Sequence, residues 1–455
     1  MATVCALSAI LFVSCLAPSG PEGKILIEFW DFPRLPAVSK YVENRILEFE
    51  KLNPDVHVEF TRLSWAKGGE RLDIAAFAGR PPDLTGATLT MKYVDAGLIA
   101  PIDKYLEEPL PEDATKTYRQ DIHPGVLKSM QWEGKTYGFP WYKEGFVVLL
   151  NREILAERGV PIPKDGRWTW DEFLAAMHRL TFDRDGDGKI DVYGIGFNTG
   201  KEKLETFPFL FGDGAQIVSD DGRRSLIDSE ATRRGIRRLL AMEYDEKISM
   251  PGAGGMEDDV TWGSFSGSQR GLAGVSLGLW AVNSVDIINR DREAAIAKDP
   301  SVAATAQPPL NAVAVLFPQM PGEPQRMASY GVGCYTVFNR PLDPKRTEMA
   351  ARLGRFITLD APGQEINSAA GLLPSRISFQ RVLQDDPRFT YILPFMADAI
   401  SPPAHPVWLQ MDQIIGEQLQ LALLKRATVD DAVTRMGAGC QKALDDYWKM
   451  HDAAK

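Results

Sequence analysis

Between residues 24 and 88 the chain alternates strand and helix signals, and this constrains the fold more than any other feature. "KILIEFW" (24–30) is continuously apolar, as expected of a strand buried in a sheet. A helix follows, with Ser39 as its cap and Val42, Ile46, Phe49 and Leu52 at helical spacing. "NPDVHVEFTRL" supplies a turn and a second strand. The helix "RLDIAAFAG" (71–79) ends at Gly79, and "RPPDLTGAT" introduces a third strand behind two prolines. Strand–helix–strand–helix–strand implies a parallel, doubly wound sheet and an α/β fold.

The segment 134–155, "GKTYGFPWYKEGFVVLLNREIL", predicts a short strand, an aromatic loop and a long apolar strand. A second unit then begins. In "WTWDEFLAAMHRL" (168–180), Thr169 and Glu172 have the spacing of a capping box, and Phe173, Leu174, Met177 and Leu180 face one side. "KIDVYGIGF" (189–197) reads as a strand, residues 230–247 as an amphipathic helix, and "LAGVSLGLWAVNS" (272–284) as a buried strand leading to a Trp. "GVGCYTVFN" (331–339) is a further strand, and the chain beyond 343 is mostly helical in pattern. There is no internal repeat.

A length of 455 residues with 44% hydrophobic side chains allows two or three domains. The 51 basic and 61 acidic side chains give a net charge of −10, spread without blocks, which disfavours nucleic acid and anionic lipid as partners. Residues 4–17 form an apolar run too short for a membrane anchor. With the tether to residue 22 it reads as an export signal, although no Lys or Arg precedes Lys24. "FVSC" resembles a lipoprotein signal that would make Cys15 the acylated N-terminus; simple cleavage is the equal alternative. Cys334 and Cys440 sit in apolar segments and read as buried free thiols, with a disulfide left open.

Trp30, Trp141 and Trp280 each lie near the end of an expected strand. Ligands of open α/β sheets bind outside the carboxyl ends of the strands, and indole faces suit the C–H faces of sugar rings. A single such tryptophan reads first as core packing; three at equivalent positions point toward a site.

Several segments resemble the extracellular solute-binding proteins of bacterial ABC importers, in the branch that includes maltose-binding protein. "FEKLNPDVHVEF", "PPDLTGATLTMKYVDAGLIAPIDKYL", "GRWTWDEFLAAMHRLT", "RGLAGVSLGLWAVNSV", "GLLPSR" and "ATVDDAVTRM" occur in the family's order along nearly the whole mature chain. The resemblance implies a two-lobed periplasmic-binding-protein fold of type II with discontinuous lobes, 23–146 plus 332–373 and 147–331 plus 374–455. It implies a cleft between the lobes, crossings near 145–149, 328–335 and 372–377, and closure on a solute that is passed to a membrane permease by an exported monomer, without catalysis. Carried onto this sequence, the cleft candidates are Trp30, Asp31, Asp83, Thr85, Trp141, Tyr142, Glu144, Trp280, Tyr330, Gly331, Gly371, Leu372 and Trp408. The Trp and Tyr rings would stack on sugars and the carboxylates would accept from hydroxyls. Each has a structural alternative, such as Asp83 closing the Pro-Pro turn. A carbohydrate, in particular an oligosaccharide, is the expected ligand. A polyamine or a glycerol-phosphate-type solute is the alternative, and a phosphate ligand is disfavoured because Lys143 is the only obvious cation in the cleft segments.

A hydrolase is the rival class. "GVSLG" (274–278) satisfies the G-x-S-x-G pattern with Ser276 as nucleophile, His405 as base and Asp286 as acid, but Ser276 falls inside an apolar strand rather than on a sharp strand-to-helix turn. His57, His123, His178, His405 and His451 have no metal-ligand spacing. "DRDGDGKID" (183–191) has the oxygen spacing of a calcium loop, with Asp183, Asp185, Asp187, the Lys189 carbonyl and Asp191 as ligands. Gly194 stands where an EF-hand has its closing Glu, and the tenth position, acidic in some relatives, is Val192. A structural calcium ion is the one candidate cofactor; a polar turn is the alternative.

Overall fold

The computed structural model describes residues 23–199, 203–256, 258–304 and 306–453. The expected signal segment, with Cys5 and Cys15, lies outside them. The strands are β1 (Ile25–Asp31), β2 (Val56–Arg62), β3 (Leu84–Thr88), the hairpin β4 (Gln131–Trp132) and β5 (Lys135–Thr136), β6 (Phe139–Asn151), β7 (Gly274–Gly278), β8 (Ala312–Val315), β9 (Ser329–Val337) and β10 (Leu373–Pro374). The main sheet runs β10-β6-β9-β3-β1-β2, with β7 and β8 paired to the far half of β6. β1 is parallel to both β2 and β3, as the opening alternation predicts.

β6 joins the two lobes. Phe139–Gly145 pairs with β9 beside the first-lobe sheet, while Phe146–Asn151 pairs with β7 and β8 in the second. Its thirteen residues are buried apart from the half-buried Tyr142 and Glu144, so neither half has a solvent face. Register shifts at Pro140/Tyr142 and Glu144/Gly145 turn the strand as it passes between lobes. The expected aromatic loop is therefore part of a continuous strand.

The first lobe packs Ile27, Phe29, Val58 and Leu84 against Val42, Ile46 and Phe49 of the helix Pro36–Leu52. That helix begins before Ser39. Pro36, with its fixed φ, sits at the first turn, and the Ser39 hydroxyl bonds back to the Arg34 backbone. Leu52, expected on the apolar face, is exposed. The second lobe packs Phe173, Met177, Ile236 and Leu239 against the C-terminal helices Trp408–Leu423 and Val429–Ala453 through Met411, Ile415, Cys440 and Leu444.

Two expected strands differ. Residues 189–197 form only isolated bridges, to Phe182, Leu272, Ser249 and Val275 in turn, because neighbouring residues reach different partners. Of the segment 272–284, only β7 is extended, and a helix starts at Trp280 that buries Ala281, Val282 and Val285 on one side. Cys334 and Cys440 are buried free thiols, and burial pushes both up to about 12. No helix among the described residues is long and apolar enough to cross a membrane.

The lobes also meet through their outer elements. Tyr447 donates its hydroxyl to Asp95 (2.7 Å), and His451 lies 3.1 Å from the Glu133 carboxylate. Trp132 packs edge-on against His405 and beside Trp448.

Candidate functional site

The carboxyl end of β1 carries a tightly held cation. Both Asp31 oxygens take the Arg34 Nη1 at 2.6 Å, and Tyr335 donates its hydroxyl to the same carboxylate at 2.9 Å. The guanidinium lies 5.0 Å from the centre of the Trp141 ring and 5.2 Å from that of Tyr335. Burial works against the charge, but Asp31 together with Tyr335 and Tyr142 outweighs it, and the Arg34 pKa stays raised. Gly86 on β3 makes the approach possible: a Cβ there would lie 1.9 Å from the Tyr335 ring and 2.3 Å from the Asp31 carboxylate.

A second group gathers where β6 enters the other lobe. Glu144 accepts the Trp280 backbone N–H at 2.7 Å, at the first turn of a nineteen-residue helix whose positive end favours a carboxylate. The Trp280 ring meets Trp262 edge-on, with centroids 5.4 Å apart. Tyr330 lies over Phe146 and donates to Glu205, whose other oxygen accepts from Asn198 at 2.7 Å. Gly278 keeps the floor clear, since a Cβ there would lie 2.7 Å from both the Tyr330 and the Trp280 ring. Tyr142, Glu144, Trp280 and Tyr330 are all half-buried. Two carboxylates and several aromatic rings therefore converge near the crossing.

Tyr330 also borders a cavity between the lobes. Tyr330–Val332 form its floor, Leu89–Lys92, Ser129 and Met130 one wall, and Ser401–Pro406 with Trp408 the other. Gly331 has φ +114°, a backbone conformation that favours glycine. His405 is buried here, and burial lowers its imidazole pKa to about 4.

Other expected residues lie elsewhere. Trp141 is fully buried in the first-lobe core, with its indole N–H donated to the Gly363 carbonyl (2.7 Å). Trp30 is inside β1, on the sheet face covered by the helix Gly68–Phe77, with the Arg71 guanidinium 4.4 Å from its ring centre. Asp83 is fully buried between Arg340 and Arg346 and accepts the Glu28 N–H, so it serves the structure and is closed to a ligand. Thr85 is buried in β3, and its hydroxyl has no hydrogen-bond partner among the described residues. Leu372 is a core residue, and Gly371 (φ +69°) packs against Asn283. Lys143 is buried with its ammonium donated to the Ala397 and Ala399 carbonyls, and burial lowers its pKa to about 8. Lys143 was the one cation read in the cleft segments; Arg34, not singled out there, is the one held near the strand ends. Arg34 follows β1 in "DFPRLP" and could have been found by that position; Glu205 lies in a segment with no periodic signal.

Ser276 is fully buried in the middle of β7 and donates to the Glu205 carbonyl, while Asp286 pairs with Arg388. The strand–turn–helix elbow of a hydrolase is not formed at Ser276. In the aspartate loop, Asp183, Asp185 and Asp187 present carboxylate oxygens within 4.8 Å of one another. Asp183 accepts the Gly186 and Gly188 amides, Asp185 and Asp187 each accept the amide two residues on, and Asp191 accepts those of Arg184 and Asp185. The Gly188 amide foremost holds Asp183 below its ordinary pKa.

Residues 32–315, more than half of the chain, match the model of the bacterial extracellular solute-binding protein family. An uncharacterised lipoprotein of Streptomyces antibioticus is 23% identical over 186 residues, 40% of this chain. The maltotriose-binding protein of Pyrococcus abyssi is 24% identical over 192 residues, 42% of this chain. The chain spans 39% and 37% of those relatives' own lengths. An ABC substrate-binding protein of Listeria monocytogenes, solved in complex with cycloalternan, superposes over 93% of this chain and 99% of its own with a TM-score of 0.73 at 17% identity. The fold is thus the two-lobed one of such binding proteins, and this chain belongs to the bacterial extracellular solute-binding protein family.

Proposed function

We propose that the chain is the substrate-binding component of an ABC import system, taking an oligosaccharide between its lobes and delivering it to membrane permease subunits. The observation that carries this reading is the half-buried group of Trp280, Tyr330 and Glu144 at the crossing, with the buried Glu205 holding the Tyr330 hydroxyl in place. Aromatic faces receive sugar C–H surfaces, and carboxylates accept from hydroxyls. The maltotriose and cycloalternan named for the two relatives support the ligand class. Arg34 does not favour a phosphate, because Asp31 already neutralises it. The lobes act by population shift: a solute touching both stabilises their closed arrangement, and no bond is made or broken. Calorimetric titration with maltose, maltotriose, maltotetraose, spermidine and glycerol 3-phosphate tests this. Saturable binding of a saccharide alone is expected. Binding of spermidine or glycerol 3-phosphate in its place would reassign the ligand.

The same reading covers the export address and the aspartate loop. The protein is exported as a monomer to the periplasm or cell surface, with Cys15 acylated, in keeping with the lipoprotein name of one relative. Mass spectrometry of the native N-terminus distinguishes a lipidated Cys15 from simple cleavage. Loop 183–191 holds a structural calcium ion, supported by its three close carboxylates and by calcium's preference for oxygen ligands. Calcium titration after chelation should show one site, and silence at millimolar calcium would leave a polar turn.

A further inference from the structure

Trp65 is 63% exposed, yet its ring is fixed in place. One face stacks on Phe32, with centroids 4.6 Å apart and planes 27° from parallel, and its indole N–H donates to the Pro33 carbonyl at 2.9 Å. The base beneath it is tight. Phe32 is 5% exposed, and a Cβ at Gly68 would lie 2.6 Å from the Phe32 ring and 2.8 Å from the Leu63 Cβ. Leu63, in turn, donates its N–H to the Asp31 carbonyl at 2.8 Å, tying this loop to the residue that grips Arg34. Phe32 directly follows β1, and Trp65 lies just past the end of β2. Both are therefore at the carboxyl end of the parallel strands, where ligands of such sheets are received.

We propose that Trp65 is a stacking platform for one sugar ring at the first-lobe edge of the cleft, and that it selects for longer oligosaccharides. This rests on the carbohydrate reading above. The Phe32 stack and the Pro33 hydrogen bond fix the indole before any ligand arrives, so little side-chain entropy is lost when a sugar lands on its open face. The ring suits the flat C–H face of a pyranose, and β2 is the edge strand, four places from the crossing strand β6, so a short sugar held by Trp280 and Tyr330 would leave it uncovered.

The test is calorimetric titration of wild type, Trp65→Ala and Trp65→Phe with maltose, maltotriose and maltotetraose. Trp65→Ala should weaken the longest saccharide by about tenfold while leaving the shortest unchanged, and Trp65→Phe should retain most of the affinity. Without sugar, Trp65→Ala should lower the thermal midpoint only slightly, because a largely exposed ring loses its Phe32 stack and its Pro33 hydrogen bond. A Trp65→Ala variant that binds every saccharide as the wild type does would overturn the platform and leave the carbohydrate reading intact. A wild type that binds none of the saccharides would remove the reading and the platform together.

Discussion

Asp83 and His405 show how burial sets a residue's role. The Asp83 carboxylate satisfies two arginines and one backbone amide with no exposed surface. Asp83→Ala should cost roughly 3–5 kcal/mol in a urea titration, because it leaves Arg346 buried without its acceptor, while saccharide affinity of the folded protein stays unchanged. His405 is held neutral by burial, with a pKa near 4 against about 6.5 in an unfolded chain. The unfolded state therefore binds the extra proton as pH falls below 6.5, and stability is lost progressively down to about pH 4. Thermal unfolding of wild type and His405→Gln across that range should diverge by about 3 kcal/mol, with the wild type the steeper. Residue types near the strand ends were legible in the sequence, but their directions were not. Trp30 and Trp141 looked like ligand platforms, yet the pleat and the β6 register shifts send them to packed faces.

At the level of elements, legibility followed the range of the interactions. The helix Trp170–Arg179 appears where its capping box placed it, because Thr169 and Glu172 satisfy each other's backbone amides within one turn. Thr169→Ala should cost about 1 kcal/mol in chemical denaturation and leave saccharide binding untouched. β1, β2 and β3 were equally plain, since an apolar run, a turn before the second strand and two prolines before the third alternate with helix signals. β6 was not. Its middle reads as an aromatic loop because Pro140, Lys143 and Gly145 interrupt the apolar pattern. Only pairing with β9 on one side and β7 and β8 further along makes it a single strand. Residues 189–197 show the opposite error: a strand-like sequence whose neighbours lie in several directions.

At the scale of the whole molecule, the outer contact between lobes deserves a direct measurement. Tyr447 on Asp95, His451 near Glu133 and Trp132 against His405 join residues more than two hundred positions apart. Trp132→Ala combined with Tyr447→Phe should enlarge the radius of gyration of the unliganded protein in small-angle scattering. It should also weaken maltotriose in proportion to the closed fraction lost, since apparent affinity scales with the competent population. An unchanged radius would mean that the crossing strands alone set the lobe angle. The sequence by itself determined the α/β class, the parallel opening of the sheet, the capped helix and the family's ordered motifs, because these rest on periodicity and contacts within a few residues. Only the tertiary structure decided that Asp31 holds Arg34 and Glu205 holds Tyr330, that Trp141 and Asp83 are enclosed in packed interiors, and that Trp65 stands fixed and exposed just past β2. Those outcomes depend on which faces distant segments cover, and that information exists only once the sheet has formed and the lobes have met.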